Sequence, residues 1–387
     1  MKNIYFDSAA TSQMRPEVIE VMAEHMGTCY GNPSSTHAFG RKAKAIVETC
    51  RKDIAKKLNV TPAEIIFTSG GTEADNMVLK CAVSDLGVSR IITSRIEHHA
   101  VLYTAQLLEK QSGIKVDYVD LGPDGEVDYE HLEELLKDNS YKTIVSLMHV
   151  NNEIGNLLDI HKVAQLAHDK NALFHSDMVQ SIGHFDICLK DCPVDFLAVS
   201  AHKFHGPKGV GFAYINKAHK LASLIQGGEQ ERGHRAGTEN VVGIVGLHKA
   251  FTMAYENLEK ESSYVKELKG YFISKLKENI DGIVFNGLSA DLDKSTYTVI
   301  NVSLPIKEAA KGMLLFQLDL KGIACSQGSA CQSGSQQGSF VLNAIYGEEK
   351  MKYPSLRFSL SHYNTKDEVD YVVEVLKEYT EKQSVFV

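Results

Sequence analysis

No run of 18 apolar residues occurs anywhere in the sequence, so no stretch of it reads as a membrane-spanning helix. The opening residues, MKNIYFDSAATSQ, lack the basic-then-apolar layout of an export signal. Positive charge is not in excess: 41 Lys and Arg stand against 49 Asp and Glu, a net charge of −8. A nucleic-acid binder should carry a basic patch, so the balance argues against direct contact with nucleic acid. There is no CxxC pair, and the seven cysteines are an odd number at irregular spacings. Without an export signal they read as reduced thiols of a cytoplasmic protein rather than as a disulfide framework. Neither a GxGxxG nor a P-loop glycine pattern is present, so a nucleotide fold is not indicated. No internal repeat is visible. What remains is ordinary globular composition, 43% hydrophobic and 23% charged over 387 residues, enough for two or three domain-sized units.

Residues 1–14 have no clear periodicity and read as an arm. Pro16–Met26 places Val18, Ile19, Met22 and Met26 on one helical face, and a turn-rich stretch at 31–40 precedes an amphipathic helix over Arg41–Leu58. From here strands and helices alternate. Strands are expected at Ile65–Ser69, Arg90–Ile96, Lys115–Leu121, Thr143–Val150, Ala172–His175, Asp195–Val199 and Gly211–Ile215. Helices are expected to end near Val83 and to span Ala100–Gln111, Asp128–Asp138 and Asp159–Lys170. That alternation means crossover units and a parallel sheet. Asn240–Asn279 reads as one long helical stretch, broken near Lys260–Ser263. Beyond it, strands at Ile283–Asn286, Tyr297–Ser303, Ile323–Cys325 and Leu356–Leu360 mix with helices at Lys307–Leu320 and Lys366–Lys382, an α+β end domain. The expected division is an arm at 1–14, a large domain at 15–250 and a small domain at 251–387. SQGSACQSGSQQGS at 326–339 is too small and polar to pack and is expected to be mobile.

Ligands of parallel α/β sheets sit beyond the carboxyl ends of the strands. Four candidates fall there. Gly70-Gly71-Thr72 joins a strand to a helix and suits an anion, though many such turns contain glycine. Asn151-Asn152-Glu153 serves equally well for capping or for ligand contact. Asp177, in His175-Ser176-Asp177 with Gln180 after it, either caps a helix or holds a protonated ring nitrogen. Lys203, in SAHKFHGPKG at 200–209, is either a turn lysine or an amine kept to bond a carbonyl. Pyridoxal phosphate needs a lysine for its aldehyde, a carboxylate for its pyridinium nitrogen and a cup for its phosphate. Lys203, Asp177 and Gly71-Thr72, with Ser200 and His202 nearby, supply all three. His98 could stack on the ring, though a lone histidine is more often a buried hydrogen-bonded one. Cys331, on the small polar loop, is an accessible thiol, whereas Cys325 reads as packed. Arg357, on an otherwise apolar strand, is either an ion-pair partner or a fork for a carboxylate.

These motifs, in this order, resemble the cysteine desulfurases, pyridoxal-phosphate enzymes of the class V aminotransferase group. The resemblance runs from about Ile4 to Glu381. It is carried by DSAAT at 7–11, GNPSS at 31–35, FTSGGTEADN at 67–76, EHHAV at 97–101 and MHVNNEIG at 148–155. It continues in HSDMVQS at 175–181, SAHKFHGPKG, GGEQERGHRAGTEN at 227–240, GSACQSGS at 328–335 and RFSL at 357–360. The resemblance implies a type I transferase fold: a large domain with a mostly parallel seven-stranded sheet, and a smaller α+β domain. It implies Lys203 as the cofactor's lysine and Asp177 beside the pyridinium. Gln180 would meet the ring hydroxyl, His98 would stack on the ring, and Asn152 would lie beside it. Gly71, Thr72, Ser200 and His202 would hold the phosphate, joined by Thr238 from the second subunit of a homodimer. Arg357 and Asn32 would bind the substrate carboxylate, and Cys331 would take the sulfur of L-cysteine as a persulfide. The long loop resembles the housekeeping type. Acceptors would be iron–sulfur scaffold or tRNA-thiolation proteins, with no resident metal and an iron–sulfur contact at Cys331 only during transfer.

Several positions depart from the family pattern: Met178-Val179 where Ala-Thr is common, Cys325 and Gln327 where the residues are usually small or serine, and Ser361-His362 where a glycine often follows RFSL. Rival readings are a selenocysteine lyase or an aminotransferase on the same scaffold, a non-catalytic sulfur carrier, and a metal-dependent hydrolase built on His175, Asp177, His202 and His205. An aminotransferase has no use for the loop thiol, a carrier none for Lys203, and the hydrolase none for Lys203 between its histidines.

Overall fold

The computed structural model describes residues 3–306, 313–328, 338–347 and 353–382. Cys331 and the first part of the helix expected at 307–320 lie outside them. The first half of the chain holds β1 (Ile4–Tyr5), α1 (Pro16–Thr28), α2 (Ala38–Lys57), β2 (Ile65–Thr68) and α3 (Gly71–Leu86). It goes on through β3 (Arg90–Thr93), α4 (His99–Ser112), β4 (Lys115–Tyr118), α5 (Tyr129–Leu136), β5 (Thr143–Ser146) and α6 (Ile160–His168). Next come β6 (Leu173–Asp177), β7 (Phe196–Ser200), β8 (Gly211–Ile215), α7 (Val241–Glu256) and α8 (Leu258–Asn279). The last part holds β9 (Val284–Phe285), β10 (Val299–Ser303), α9 (Leu314–Leu320), β11 (Ile323–Ala324), α10 (Phe340–Tyr346), β12 (Ser355–Ser359) and α11 (Lys366–Lys382).

The central sheet has seven strands in the order β2-β8-β7-β6-β5-β3-β4, and only β8 runs antiparallel to its neighbours. β7, FLAVS, is buried at every position, as a strand covered on both faces must be. One face packs on α1, α2 and α7 through Val18, Ile54, Phe67, Phe174 and Phe251. The other packs on α3 and α4 through Met77, Val78, Ile91, Val101 and Phe196. A separate core joins the antiparallel sheet β12-β10-β9 to α8 and α11. Phe6 belongs to that core, its ring 5.5 Å from Phe272 and 6.3 Å from Phe358. Fully burying such a ring contributes about 1.5–3 kcal/mol, so the start of the chain is tied down from its sixth residue. β1 adds to this by pairing parallel with β11.

Several boundaries differ from the sequence expectation, each for a local reason. The long helix breaks at Asn257 rather than near 260–263, because Asn257 Nδ2 takes the Met253 carbonyl at 2.8 Å. β5 stops at Ser146, four residues early, and Asn151 Oδ1 then folds the chain into a turn by accepting from Glu153 N and Ile154 N. β6 runs two residues further than expected, since Ser176 and Asp177 still pair with Leu197 and Ala198. α2 starts three residues early, capped by His37, whose Nδ1 accepts from Gly40 N. The carboxyl ends of β5, β6 and β7 and the amino end of α3 all meet on one side of the sheet.

Candidate active site

That meeting point is a cavity of about 180 Å³. β2 leads into it through Gly70, whose φ of 153° and ψ of −176° only glycine tolerates. Gly71 opens α3, and a Cβ there would stand 2.4 Å from Val179 Cγ2. The bare backbone therefore lets the first turn of α3 reach the cavity, with Thr72, Ser200 and His202 also in its lining. Burial pushes the His202 imidazole down to about 3, helped by the nearby Lys203 and Lys208 charges. His202 is thus a neutral hydrogen-bonding ring at ordinary pH.

Lys203 follows β7 in a short 3-10 turn, and its side chain lines the cavity. Its Nζ donates to the carbonyls of Ala9 at 2.6 Å and Ala10 at 2.8 Å. Asp177 ends β6 as a buried carboxylate. Burial raises its pKa, against the opposing effect of His98, the Val179 N–H and Lys203. Such a group gains from any cation that comes beside it. His98 caps α4: its Nδ1 accepts from Ala100 N at 3.1 Å, which leaves the ring proton on Nε2. Gln180 Nε2 donates to Ala9 O at 2.9 Å. Asn152 Oδ1 is buried in the lining with no hydrogen-bond partner.

Arg357 reaches the same cavity from β12 and is 1% exposed. Its Nη2 pairs with Asp7 Oδ1 at 2.9 Å and its Nη1 donates to Asn152 O at 2.8 Å, while Nε has no partner. It is therefore an ion-pair partner and a cavity group at once, with N–H groups to spare for a carboxylate. Cys325 is near this pair. Burial, then Asp7, pushes its thiol up, so it stays protonated.

The cavity thus gathers Gly71, Thr72, His98, Asn152, Asp177, Gln180, Ser200, His202, Lys203 and Arg357. Two expected residues are not in its lining. Thr238 lines a different cavity with Ser69 and Arg235. Asn32 is exposed, and its Oδ1 accepts from Ser34 N at 2.9 Å within its own turn. The sequence reading also missed members. Ala9 and Ala10 carry no chemical signal, since only their carbonyls act. Asp75 lies on the wall in plain view of the motif FTSGGTEADN. It is 1% exposed, neither carboxyl oxygen has a hydrogen-bond partner, and burial with Asp177 and Glu97 nearby raises its pKa well above the usual carboxylate range. His175 Nε2 is 3.4 Å from it, but burial lowers that ring to about 3, so the pair is neutral.

The hydrolase candidates do not converge: Asp177 and His202 line this cavity, His205 lines another with Arg15 and His184, and the fully buried His175 lines neither. No helix among the described residues is long and apolar enough to cross a membrane.

The residues suit pyridoxal phosphate in three respects: an amine at one wall, a buried carboxyl group, and a helix amino end cleared by glycine. Comparison with known proteins agrees. The family model of aminotransferase class-V matches residues 4–372. A cysteine desulfurase IscS of Clostridium botulinum is 43% identical over 377 residues, covering 97% of this chain and 94% of its own. A solved NifS-like protein superposes with a TM-score of 0.89 at 36% identity, over 98% of this chain and all of that one. A solved structure of SspA in complex with cysteine gives 0.80 at 32%, over 94% of this chain and all of that one. The chain belongs to the class-V aminotransferase family, within its cysteine desulfurase branch. It is an enzyme of type I transferase fold, and its family depends on pyridoxal phosphate.

Proposed function

We propose that this chain binds pyridoxal 5'-phosphate in the 180 Å³ cavity and there converts L-cysteine to L-alanine, leaving the sulfur as a persulfide on Cys331. The observation that carries it is the convergence of Lys203, Asp177 and Arg357 on that one cavity. The SspA relative, solved with cysteine, supports the substrate.

Lys203 would hold the cofactor, and its amine, when free, would take the substrate's Cα proton. Asp177 keeps a proton on the ring nitrogen, because a buried carboxylate is most stable beside a cation. Pyridoxal phosphate supplies the electron sink for the pair left at Cα. His98 is held by its cap with Nε2–H free to face the ring. Thr72, Ser200, His202 and the amino end of α3 bind the phosphate. Arg357 orients the substrate carboxylate with the N–H groups left over from Asp7 and Asn152. The Cys331 thiolate attacks the substrate Sγ: an S–S bond forms, the Cβ–S bond breaks, and alanine leaves after protonation.

A homodimer accounts for the two residues outside the lining, with Thr238 and Asn32 serving the neighbouring subunit's site. The chain divides into an arm at 1–14, a large domain at 15–250 and a small domain at 251–387. It acts in the cytoplasm and hands its sulfur to an iron–sulfur scaffold or a tRNA-thiolation protein. The test is direct. The purified protein should be yellow, Lys203→Ala colourless, and Cys331→Ser yellow but unable to form alanine and sulfide from L-cysteine. A colourless native protein would sink the proposal, and so would full desulfuration by Cys331→Ser.

A further inference from the structure

Residues 7–10 touch both ends of the candidate site. Asp7 Oδ1 accepts from Arg357 Nη2 at 2.9 Å and from Ser326 Oγ at 2.8 Å. Two residues on, the Ala9 carbonyl accepts from Lys203 Nζ at 2.6 Å and from Gln180 Nε2 at 2.9 Å. The Ala10 carbonyl takes the same Nζ at 2.8 Å. The strip is pegged to β12 as well: Ala9 N donates to Ser359 Oγ and Ser359 N to Phe6 O, both at 2.8 Å. Phe6 itself is fully buried in the small core.

Two carbonyls at this range favour the protonated form of an amine. Once a lysine amine released from a cofactor has taken the substrate proton it is a cation on a flexible four-carbon stem, and it needs a docking point or it wanders. The carbonyls provide one. Their position is set by the backbone between two fixed points, the Asp7–Arg357 pair and the Ser359 peg.

We propose that residues 7–10 form a strap that positions the lysine amine and the carboxylate fork as one unit. The Ala9 and Ala10 carbonyls dock the protonated Lys203 amine, and the Asp7–Arg357 pair and Ser359 fix where those carbonyls stand. Occupation of Arg357 by a carboxylate is then felt at Lys203 through four residues of backbone. This rests on the roles proposed above for Lys203 and Arg357. Asp7 and Ser359 are positioning residues, acting through others.

The test uses the cofactor-loaded protein, Asp7→Asn and Ser359→Ala, and two titrations of the cofactor's visible absorbance. One varies pH without amino acid; the other adds L-alanine at fixed pH. Carbonyls that favour the protonated lysine nitrogen raise the pH midpoint, so loosening the strap should lower it by about half a unit or more in both variants. Ser359→Ala leaves the fork's partners intact, so its L-alanine affinity should stay within about twofold. Asp7→Asn should weaken L-alanine binding about tenfold, through loss of a charge-assisted pair. A midpoint unmoved in both variants overturns the strap. So does an Asp7→Asn protein with weaker L-alanine binding and an unmoved midpoint, which makes Asp7 a carboxylate-site residue only. A parent protein with no visible band refutes the underlying reading of Lys203 instead, and the strap falls with it.

Discussion

Glu97→Gln should change the stability of this protein with opposite signs at the two ends of an ordinary pH range. Glu97 is 1% exposed and sits immediately before His98. Its Oε1 accepts from Met148 N at 3.0 Å and from Ser94 Oγ at 3.1 Å, whereas Oε2 has no partner. Burial pushes its pKa from 4.5 to about 8, with Asp177 adding to the rise and the Met148 N–H and Ser94 opposing it. The folded chain therefore holds a proton that the unfolded chain has released. The stability tied to that proton is full below about pH 4.5 and falls by about 1.4 kcal/mol per pH unit until about pH 8. Near pH 7 the loss amounts to roughly 3 kcal/mol, and near pH 5 to less than about 1 kcal/mol.

Glutamine has no proton to hold, so the variant escapes this loss. It keeps the Oε1 contacts but puts an NH₂ where Oε2 has no partner, at a cost of about 1–3 kcal/mol. The difference leaves the variant up to about 2 kcal/mol more stable than the parent near pH 7 and about 1–3 kcal/mol more stable near pH 8, and level or less stable near pH 5. Urea unfolding of both proteins, at one saturating cofactor concentration and several pH values, reads this directly. The two stability curves should cross. Parallel curves would mean that Glu97 is ionised in the folded protein, and the reasoning from burial would be wrong.

Three further outcomes are expected. Gly71→Ala places a Cβ 2.4 Å from Val179 Cγ2, a stiff branched side chain; it should weaken cofactor binding about tenfold in equilibrium dialysis, with partial recovery on adding Val179→Ala. Recovery failing in the double variant would place the clash elsewhere. Arg51, 2% exposed, is held by both oxygens of Glu231 and at Nε by Glu48 Oε1 at 3.0 Å, so Glu231→Ala, which removes the more buried partner and leaves Glu48, should cost about 1.5–3 kcal/mol. A loss under about 1 kcal/mol would show that water reaches Arg51. Asp195 is held down at about 2: burial would raise it, but hydrogen bonds from His168, His219 and the Phe174 N–H outweigh burial. That stability is present above about 3.8 and is lost as pH falls through about 2, so Asp195→Asn should cost roughly 2 kcal/mol near neutrality and nothing in strong acid.

Much of the site was legible in the sequence because its chemistry depends on residue type. A lysine, a carboxylate and a glycine turn at three strand ends mean something at any strand end, and ten such residues line one cavity. Element ends were less legible. The break at Asn257 and the early stop of β5 depend on which carbonyl or N–H one asparagine side chain reaches. Asp75 and Glu97 stand within quoted motifs, yet nothing in a motif says that a carboxyl oxygen will lack a partner. That fact comes from packing alone.

Three buried carboxyl groups, Asp75 and Asp177 in the cavity wall and Glu97 close by, interact, and burial raises each one's pKa. They cannot all carry charge at neutral pH in so little solvent. Asp177 is distinguished by what faces it: His98, the Val179 N–H and Lys203 all favour its anion. For Asp75 the charged neighbours are carboxylates, and for Glu97 only two neutral donors help. The environment thus favours charge on Asp177 over the other two. A ring nitrogen brought beside Asp177 meets a single negative charge, where three would cost stability and none would leave its proton unsupported.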